Sequence, residues 1–282
     1  MPLQTTIERL REMRLRGMAD ALVRQQQQPE LQSLSFEERL ELLVDQEWLD
    51  RQNRRLARLL KEAKFRVAAC MEDVDYQHPR GLDRTVMRSL AACQWVEYGQ
   101  HILIAGPTGV GKTFIACALG NAACRHGYTV RYYRVPRLLA ELATARVDGS
   151  LRRILNTLAR TDVLILDDWG LAPISVAESR DLLEVIDDRT QARSTVIASQ
   201  LPIETWHSVI GDATVADAIL DRLVHGAHKL NLKGESMRKI ANLHHGLALP
   251  SHRHFAPSPQ CHRAGRMKSE TAVDLDQNRW SA

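Results

Sequence analysis

Eight consecutive residues, Gly106, Pro107, Thr108, Gly109, Val110, Gly111, Lys112 and Thr113, fit the G-x-x-x-x-G-K-[ST] pattern of a phosphate-binding loop. Each residue type has a chemical reason. The glycines let backbone N–H groups turn inward around a polyphosphate, and a following helix adds its N-terminal dipole. Lys112 has the reach to meet the β- and γ-phosphates of ATP, and the Thr113 hydroxyl is a ligand for Mg²⁺. A second chemical pair, Asp167 and Asp168, ends the apolar run Val163-Leu164-Ile165-Leu166. An all-apolar strand is buried in a parallel sheet, and its C-terminal end faces the ligand crevice. Asp167 there would hold the metal, and Asp168 would polarise the water that attacks the γ-phosphate. Ser199 and Gln200 end a third apolar run and would touch the γ-phosphate or that water, with simple turn chemistry as the alternative.

These residues need a sheet to bring them together. Strands are expected at 101–105, 129–135, 162–167, 194–199 and 228–232, with helical patterns between them. That alternation predicts an α/β fold, a mostly parallel sheet covered on both faces. Two helical pieces, 136–147 and 150–160, separate the second and third strands, where a simple crossover needs one. Ahead of this region, residues 1–75 read as entirely helical. Thr5 with Glu8 forms a possible capping box for Ile7, Leu10, Met13, Met18 and Leu22. A break is expected at 25–34, which holds Pro29. Ser35 with Glu38 then opens a long helix running toward Lys64. The stretch 72–79 reads as a linker and 81–98 as one more helix. The expected organisation is a helical N-terminal domain over 1–75, a phosphate-loop ATPase domain over 76–246 and a flexible tail over 247–282.

The chain has 282 residues, 44% of them apolar, with a net charge of +4. It is long enough for a real core, and its mildly basic balance permits an anionic partner without demanding one. Five scattered cysteines, Cys70, Cys93, Cys117, Cys124 and Cys261, form no C-x-x-C pair and suit a reducing compartment. No apolar run approaches the roughly 20 residues of a membrane span, and no signal pattern opens the chain, so a cytoplasmic location is expected. His244, His245, His252, His254, Cys261 and His262 cluster near the end, but their spacing matches no zinc pattern.

The motifs together resemble the AAA+ ATPases of the initiator and loader branch, and among them the IstB family of insertion-sequence helper ATPases, related to the DnaC helicase loaders. The pieces that carry the resemblance are GPTGVGKT (106–113), YRVPRLL (133–139), LILDDWGL (164–171), SQLP (199–202), DAILDRLVH (217–225) and LKGESMRK (232–239). LSFEERLELLVDQEW and RQNRRLARLLKEAKF in the helical region also look like this family. The resemblance runs from Thr5 to about Leu243 and implies an AAA+ domain in which the extra helix after the second strand is a branch feature. It implies that Arg222 is an arginine finger entering the neighbouring subunit's site, so that hydrolysis needs a homo-oligomer, ring or spiral. It implies that Arg238 touches the nucleotide as the sensor 2 arginine, and that duplex DNA and the transposase of the same element are partners. Two positions depart from the family's wider pattern. Asp168 stands where most AAA+ proteins carry Glu, and Gln200 where many carry Asn.

Arg51, Arg54, Arg58 and Lys61 fall three or four residues apart, on one helical face. From 51 to 66 there are seven basic residues and one acid. Such a stripe can track DNA phosphates without reading sequence, although a solvated helix face is the plainer account. Arg152 and Arg153, on the extra helix, are a second candidate. The expected function is an ATPase that assembles on duplex DNA and assists a transposase. The alternatives are a DnaC-type replicative helicase loader, a small-molecule kinase and a scaffold that holds ATP with little turnover.

Overall fold

A computed structural model describes residues 2–237. Arg238, the region 247–282 and the terminal histidines with Cys261 lie outside the described residues.

Four helices come first: α1 (Pro2–Glu12), α2 (Arg16–Gln27), α3 (Pro29–Gln32) and α4 (Phe36–Ala63). Two expectations are corrected here. Thr5 lies inside α1 rather than capping it. The apolar series from Ile7 to Leu22 belongs to two helices, because Arg14 takes the left-handed conformation (φ 62°) and turns the chain. The second break is narrower than expected, since α2 continues through Gln27. The capping box of α4 forms as read: Glu38 N–H donates to Ser35 Oγ at 3.3 Å, and Ser35 N–H donates to the Glu38 carboxylate at 2.8 Å.

The expected linker instead contains a short 3-10 turn, Met71–Asp73, and a buried Val74. The single helix expected over 81–98 is two, α5 (Arg84–Ala91) and α6 (Gln94–Glu97), broken where Cys93 takes φ 60°.

The sheet has five parallel strands, β1 (Ile102–Ala105), β2 (Val130–Arg134), β3 (Val163–Trp169), β4 (Ser194–Ser199) and β5 (His228–Asn231), in the order β2-β3-β4-β1-β5. β4 matches its expected span, and the other four differ from theirs by one or two residues at an end. Helix α7 (Lys112–Arg125) follows β1, and α8 (Val135–Asp148) and α9 (Leu151–Arg160) follow β2. Helix α10 (Val176–Asp187) follows β3, and α11 (Ala213–Val224) precedes β5. Two apolar clusters lie on opposite faces of the sheet. One joins Ile102, Ile104, Ile165 and Val196 with α7 and the end of α4. The other joins Leu103, Leu164, Leu166 and Ile197 with α8, α10 and α11. Burying each of these large apolar side chains contributes roughly 1.5–3 kcal/mol, so the strand ends sit on a stiff base. The helical region is not separate from this base: Leu59 and Ala63 of α4 are buried within the first cluster.

Four cysteines (Cys70, Cys93, Cys117 and Cys124) are buried and form no disulfide among the described residues. Burial raises Cys93 and Cys124 to about 12 and Cys117 to about 11, which keeps these thiols protonated and unreactive. Among the described residues no helix is long and apolar enough to cross a membrane.

Candidate active site

The phosphate loop leaves β1 at Gly106 and enters α7 at Lys112. Gly111 caps α7 with φ 96°, and a Cβ there would come within 2.6 Å of the Arg80 guanidinium. Gly109 takes φ 88°, and a Cβ would come within 2.6 Å of the Ser236 Cβ. Both positions therefore need glycine on conformational and steric grounds. Met237 N–H donates to Gly109 O at 2.9 Å, so the chain just before Arg238 touches the loop. Lys112 is 9% exposed and donates through Nζ to Pro107 O at 2.8 Å. Burial lowers the pKa of its ammonium group, opposed by the nearby charges of Asp167 and Asp168.

Sheet order brings the other strand ends to this loop. β4 lies beside β1, and Thr108 Oγ1 donates to Gln200 Oε1 at 2.7 Å. β3 lies on the far side of β4. Thr113 Oγ1 donates to Asp167 Oδ2 at 2.8 Å, and Asp167 is 2% exposed. A hydroxyl and a carboxylate at the head of a helix are hard oxygen donors. They fit Mg²⁺, which takes few protein ligands and completes its shell with phosphate oxygens and water.

The acids owe their aim to a bulge. β3 pairs with β4 at Leu166–Ile197 and resumes at Trp169–Ser199, so two residues of β3 face one of β4. The extra residue falls at the acids, and Asp168 takes φ 59°. Asp and Asn are the side-chain-bearing residues that tolerate this region best. An aspartate at 168 therefore suits this backbone. Trp169 and Trp206 anchor the strand below, with ring centroids 5.4 Å apart.

Four residues beyond those legible in the motifs complete the site. Tyr132 of β2 donates through its hydroxyl to Asp167 Oδ2 at 2.6 Å, and burial followed by this bond raises its pKa. Arg134, the last residue of β2, donates through Nε to Asp168 Oδ2 at 2.5 Å. Arg66, just beyond α4, lies 3.6 Å from the same oxygen and 4.0 Å from Asp167 Oδ2. Arg80, 5% exposed, donates to Val110 O at 2.9 Å and to Asp75 O at 2.7 Å, bracing the loop from behind. Tyr132 and Arg134 sit inside YYRVPRLL, but their partners are more than thirty residues away. Only the β2–β3 pairing, with Arg134 opposite Asp167, connects them.

Other sequence candidates lie elsewhere. Arg222, on α11, donates through Nε to Asp187 of α10 at 2.7 Å and is outside the loop's immediate shell. On α4, Arg51 and Arg54 converge on the buried Glu47 at 2.7 and 3.3 Å, and Arg58 faces Glu62 at 3.9 Å. Glu47 also accepts from Gly17 N–H at 2.8 Å, so two arginines of the stripe help join α4 to α2. Both keep at least half of their side-chain surface exposed. Arg152 and Arg153 line an open groove on α9 with Gly149, Asn156, Thr157 and Arg160. Arg152, Arg153 and Arg160 form no ion pair with another described residue.

Comparison with known proteins agrees with this geometry. The family model described as IstB-like ATP binding protein matches residues 8–244. The chain is 49% identical over 234 residues to y4pL of Sinorhizobium fredii, named as an insertion sequence ATP-binding protein, covering 83% of this chain and 96% of that one. It is 52% identical over 206 residues to the protein named as the ATP-binding protein of insertion sequence IS1162 from Pseudomonas fluorescens, covering 73% and 89%. Among solved structures it is similar to DnaI, with a TM-score of 0.52 at 21% identity over 62% of this chain and 93% of that one. It is also similar to AMPPCP-bound DnaA from Aquifex aeolicus, with a TM-score of 0.53 at 18% identity over 67% and 58%. At these identities the two structures establish a shared fold.

Proposed function

The chain belongs to the IstB-like ATP binding family of AAA+ ATPases, and from that premise we propose that it assembles on duplex DNA in its ATP-bound state and assists the transposase of its own insertion element. The observation that carries the ATPase part is the convergence of Lys112, Thr113, Asp167, Asp168 and Gln200 at the ends of three neighbouring strands. The loop N–H groups and Lys112 bind the triphosphate. Thr113 and Asp167 would hold Mg²⁺, which would supply charge neutralisation at the triphosphate. Asp168 takes the proton of the attacking water, Gln200 orients the γ-phosphate end, and Arg238 has the sensor 2 role that the family resemblance implies. Arg222 acts on the site of the adjoining subunit. The relatives are named for insertion sequences, which favours a transposition partner over a small-molecule acceptor or a helicase.

Asp168→Asn suits the left-handed backbone and keeps the shape while removing the basic oxygen. Nucleotide affinity should stay near the wild-type value while turnover falls by about 10²-fold or more, the usual weight of a positioned base. Nucleotide titration beside steady-state hydrolysis checks this, and wild-type turnover in the Asn variant would remove Asp168 from the role.

The DNA part rests on two basic surfaces, the half-exposed arginines of α4 and the arginine-lined groove of α9. Each duplex phosphate contact contributes about 0.9 to the slope of log affinity against log salt. Replacing Arg152 and Arg153 with Ala should lower that slope by up to about 1.8 per subunit, equally for all sequences. The Arg54 and Arg58 pair should behave alike if α4 also touches the backbone. Slopes unchanged in both double variants would mean that DNA binds elsewhere. Electron microscopy with duplex DNA, with and without ATP, tests assembly directly, since the proposal requires ordered oligomers only when both are present.

A further inference from the structure

Helix α4 is 28 residues long and divided by charge. Residues 36–50 hold six acids and one base, and residues 51–63 hold five bases and one acid. The second half is seated on the sheet through Leu59 and Ala63. The first half is covered on one face by α2, which crosses so closely at Gly17 that a Cβ there would lie 2.8 Å from Gln46 O. Gln25 of α2 donates to Arg39 O at 2.8 Å. Beside the covered face runs another stripe: Glu37, Leu40, Val44, Trp48 and Arg51, spaced three, four, four and three apart and so aligned along the helix. Leu40, Val44 and Trp48 are 41%, 50% and 59% exposed. Glu37 forms no ion pair with another described residue, and Arg51 keeps 59% of its side chain exposed beside its bond to Glu47. Apolar side chains exposed in one row, with a charge at each end, mark a surface that another protein covers.

We propose that this stripe is a contact between two copies of the chain, packed with their α4 helices antiparallel about a two-fold axis at Val44. The spacing reads the same in both directions from Val44. The axis therefore sets Val44 against the partner subunit's Val44, Leu40 against the partner subunit's Trp48, and Glu37 against the partner subunit's Arg51. Such a contact is isologous, so every pair away from the axis occurs twice. Apolar side chains meet at its centre and an ion pair closes each end, which is the usual anatomy of a protein interface. A parallel pairing would instead set acid against acid and base against base along the whole helix. DNA is a poor occupant, because the acids of the first half repel phosphates. The contact uses neither the phosphate loop nor Arg222. It needs neither nucleotide nor DNA, and it stands apart from the ATP-dependent assembly proposed above.

Sedimentation velocity on the full chain, without nucleotide or DNA, reads the contact directly, and a concentration-dependent dimer is expected. Val44→Asp should weaken dimerisation by about 10²-fold or more, because it sets two carboxylates against each other on the axis. Val44 is half exposed in the single chain, so the variant should keep its fold and Tm. Leu42→Asp, at a position 42% exposed but off the stripe, should leave the dimer intact. A second measurement does not depend on affinity. In a Cys261→Ser background, Val44→Cys should give a disulfide-linked dimer on mild oxidation, because the other four cysteines are buried and residue 44 faces its own copy. Leu42→Cys should not. A chain that stays monomeric at every concentration would overturn the assignment, as would a Val44→Asp variant that dimerises as tightly as wild type. Monomers that bind the purified transposase, and lose it in Val44→Asp, would also overturn it and give the stripe to that partner. A dimer that persists while ATP and duplex DNA together produce no larger oligomer would support the contact and count against the proposed assembly on DNA.

Discussion

Lys112→Ala is expected to abolish productive ATP binding, with affinity falling by about 10²-fold or more, the range found when one partner of a desolvated charge pair is truncated. The size follows from the surroundings. Lys112 is 9% exposed, so its charge is screened far less by solvent than a surface lysine's. It is also the loop's own cation, facing Asp167 and Asp168. Without it the two carboxylates and the triphosphate would repel one another across the loop. The fold should survive, because the Nζ contact within the loop is a single bond to Pro107 O. Titration with a non-hydrolysable ATP analogue, beside circular dichroism, tests both halves. Affinity within tenfold of wild type would show that the backbone cradle, not Lys112, carries nucleotide binding.

Arg222→Ala is expected to lower DNA-stimulated hydrolysis by about 10³-fold while leaving the nucleotide affinity of a single subunit unchanged. In the single chain, Arg222 is 30% exposed and paired with Asp187, itself 56% exposed. Such a pair contributes about 0–1 kcal/mol, so a neighbour's γ-phosphate can draw the guanidinium away. This pairing is also the competing account, because a surface ion pair alone would explain the arginine. Asp187→Ala separates the two. It removes the pair and leaves the guanidinium, so hydrolysis should stay near wild type. A loss in Asp187→Ala equal to that in Arg222→Ala would reduce Arg222 to a structural partner. Mixing provides the second test. Arg222→Ala subunits combined with Lys112→Ala subunits should recover part of the activity, because one supplies an intact site and the other an intact finger. No recovery in verified mixed assemblies would place Arg222 outside its neighbour's site.

The motifs differ in how far they could be read without coordinates. Gln200 is a softer sequence candidate than the phosphate loop because it stands where many related ATPases carry Asn and because turn chemistry is an alternative account of a polar strand end. Its bond to Thr108 comes from β4 lying next to β1, which no spacing between them encodes. The α4 stripe was legible as a face, but not the use of Arg51 and Arg54 to close on Glu47, since that depends on α2 docking there. The expected helix over 81–98 failed at Cys93, where apolar periodicity gives no sign of a left-handed residue.

The sequence by itself determined what is local: the strand–loop–helix around Lys112, the buried strand that ends in Asp167, the capping box at Ser35 and the places of all five strands. Hydrogen bonds and periodicity within a few residues suffice for these. The tertiary structure alone decided which distant groups meet. The order β2-β3-β4-β1-β5 puts Tyr132 and Arg134 beside the acids. The bulge turns Asp168 outward, Gly120 seats Phe65 so that Arg66 arrives, and Arg80 reaches the loop from a stretch that reads as a linker. Each of these depends on packing between segments far apart in the chain, where a side chain's partner is set by what the core brings near it and not by its neighbours in sequence.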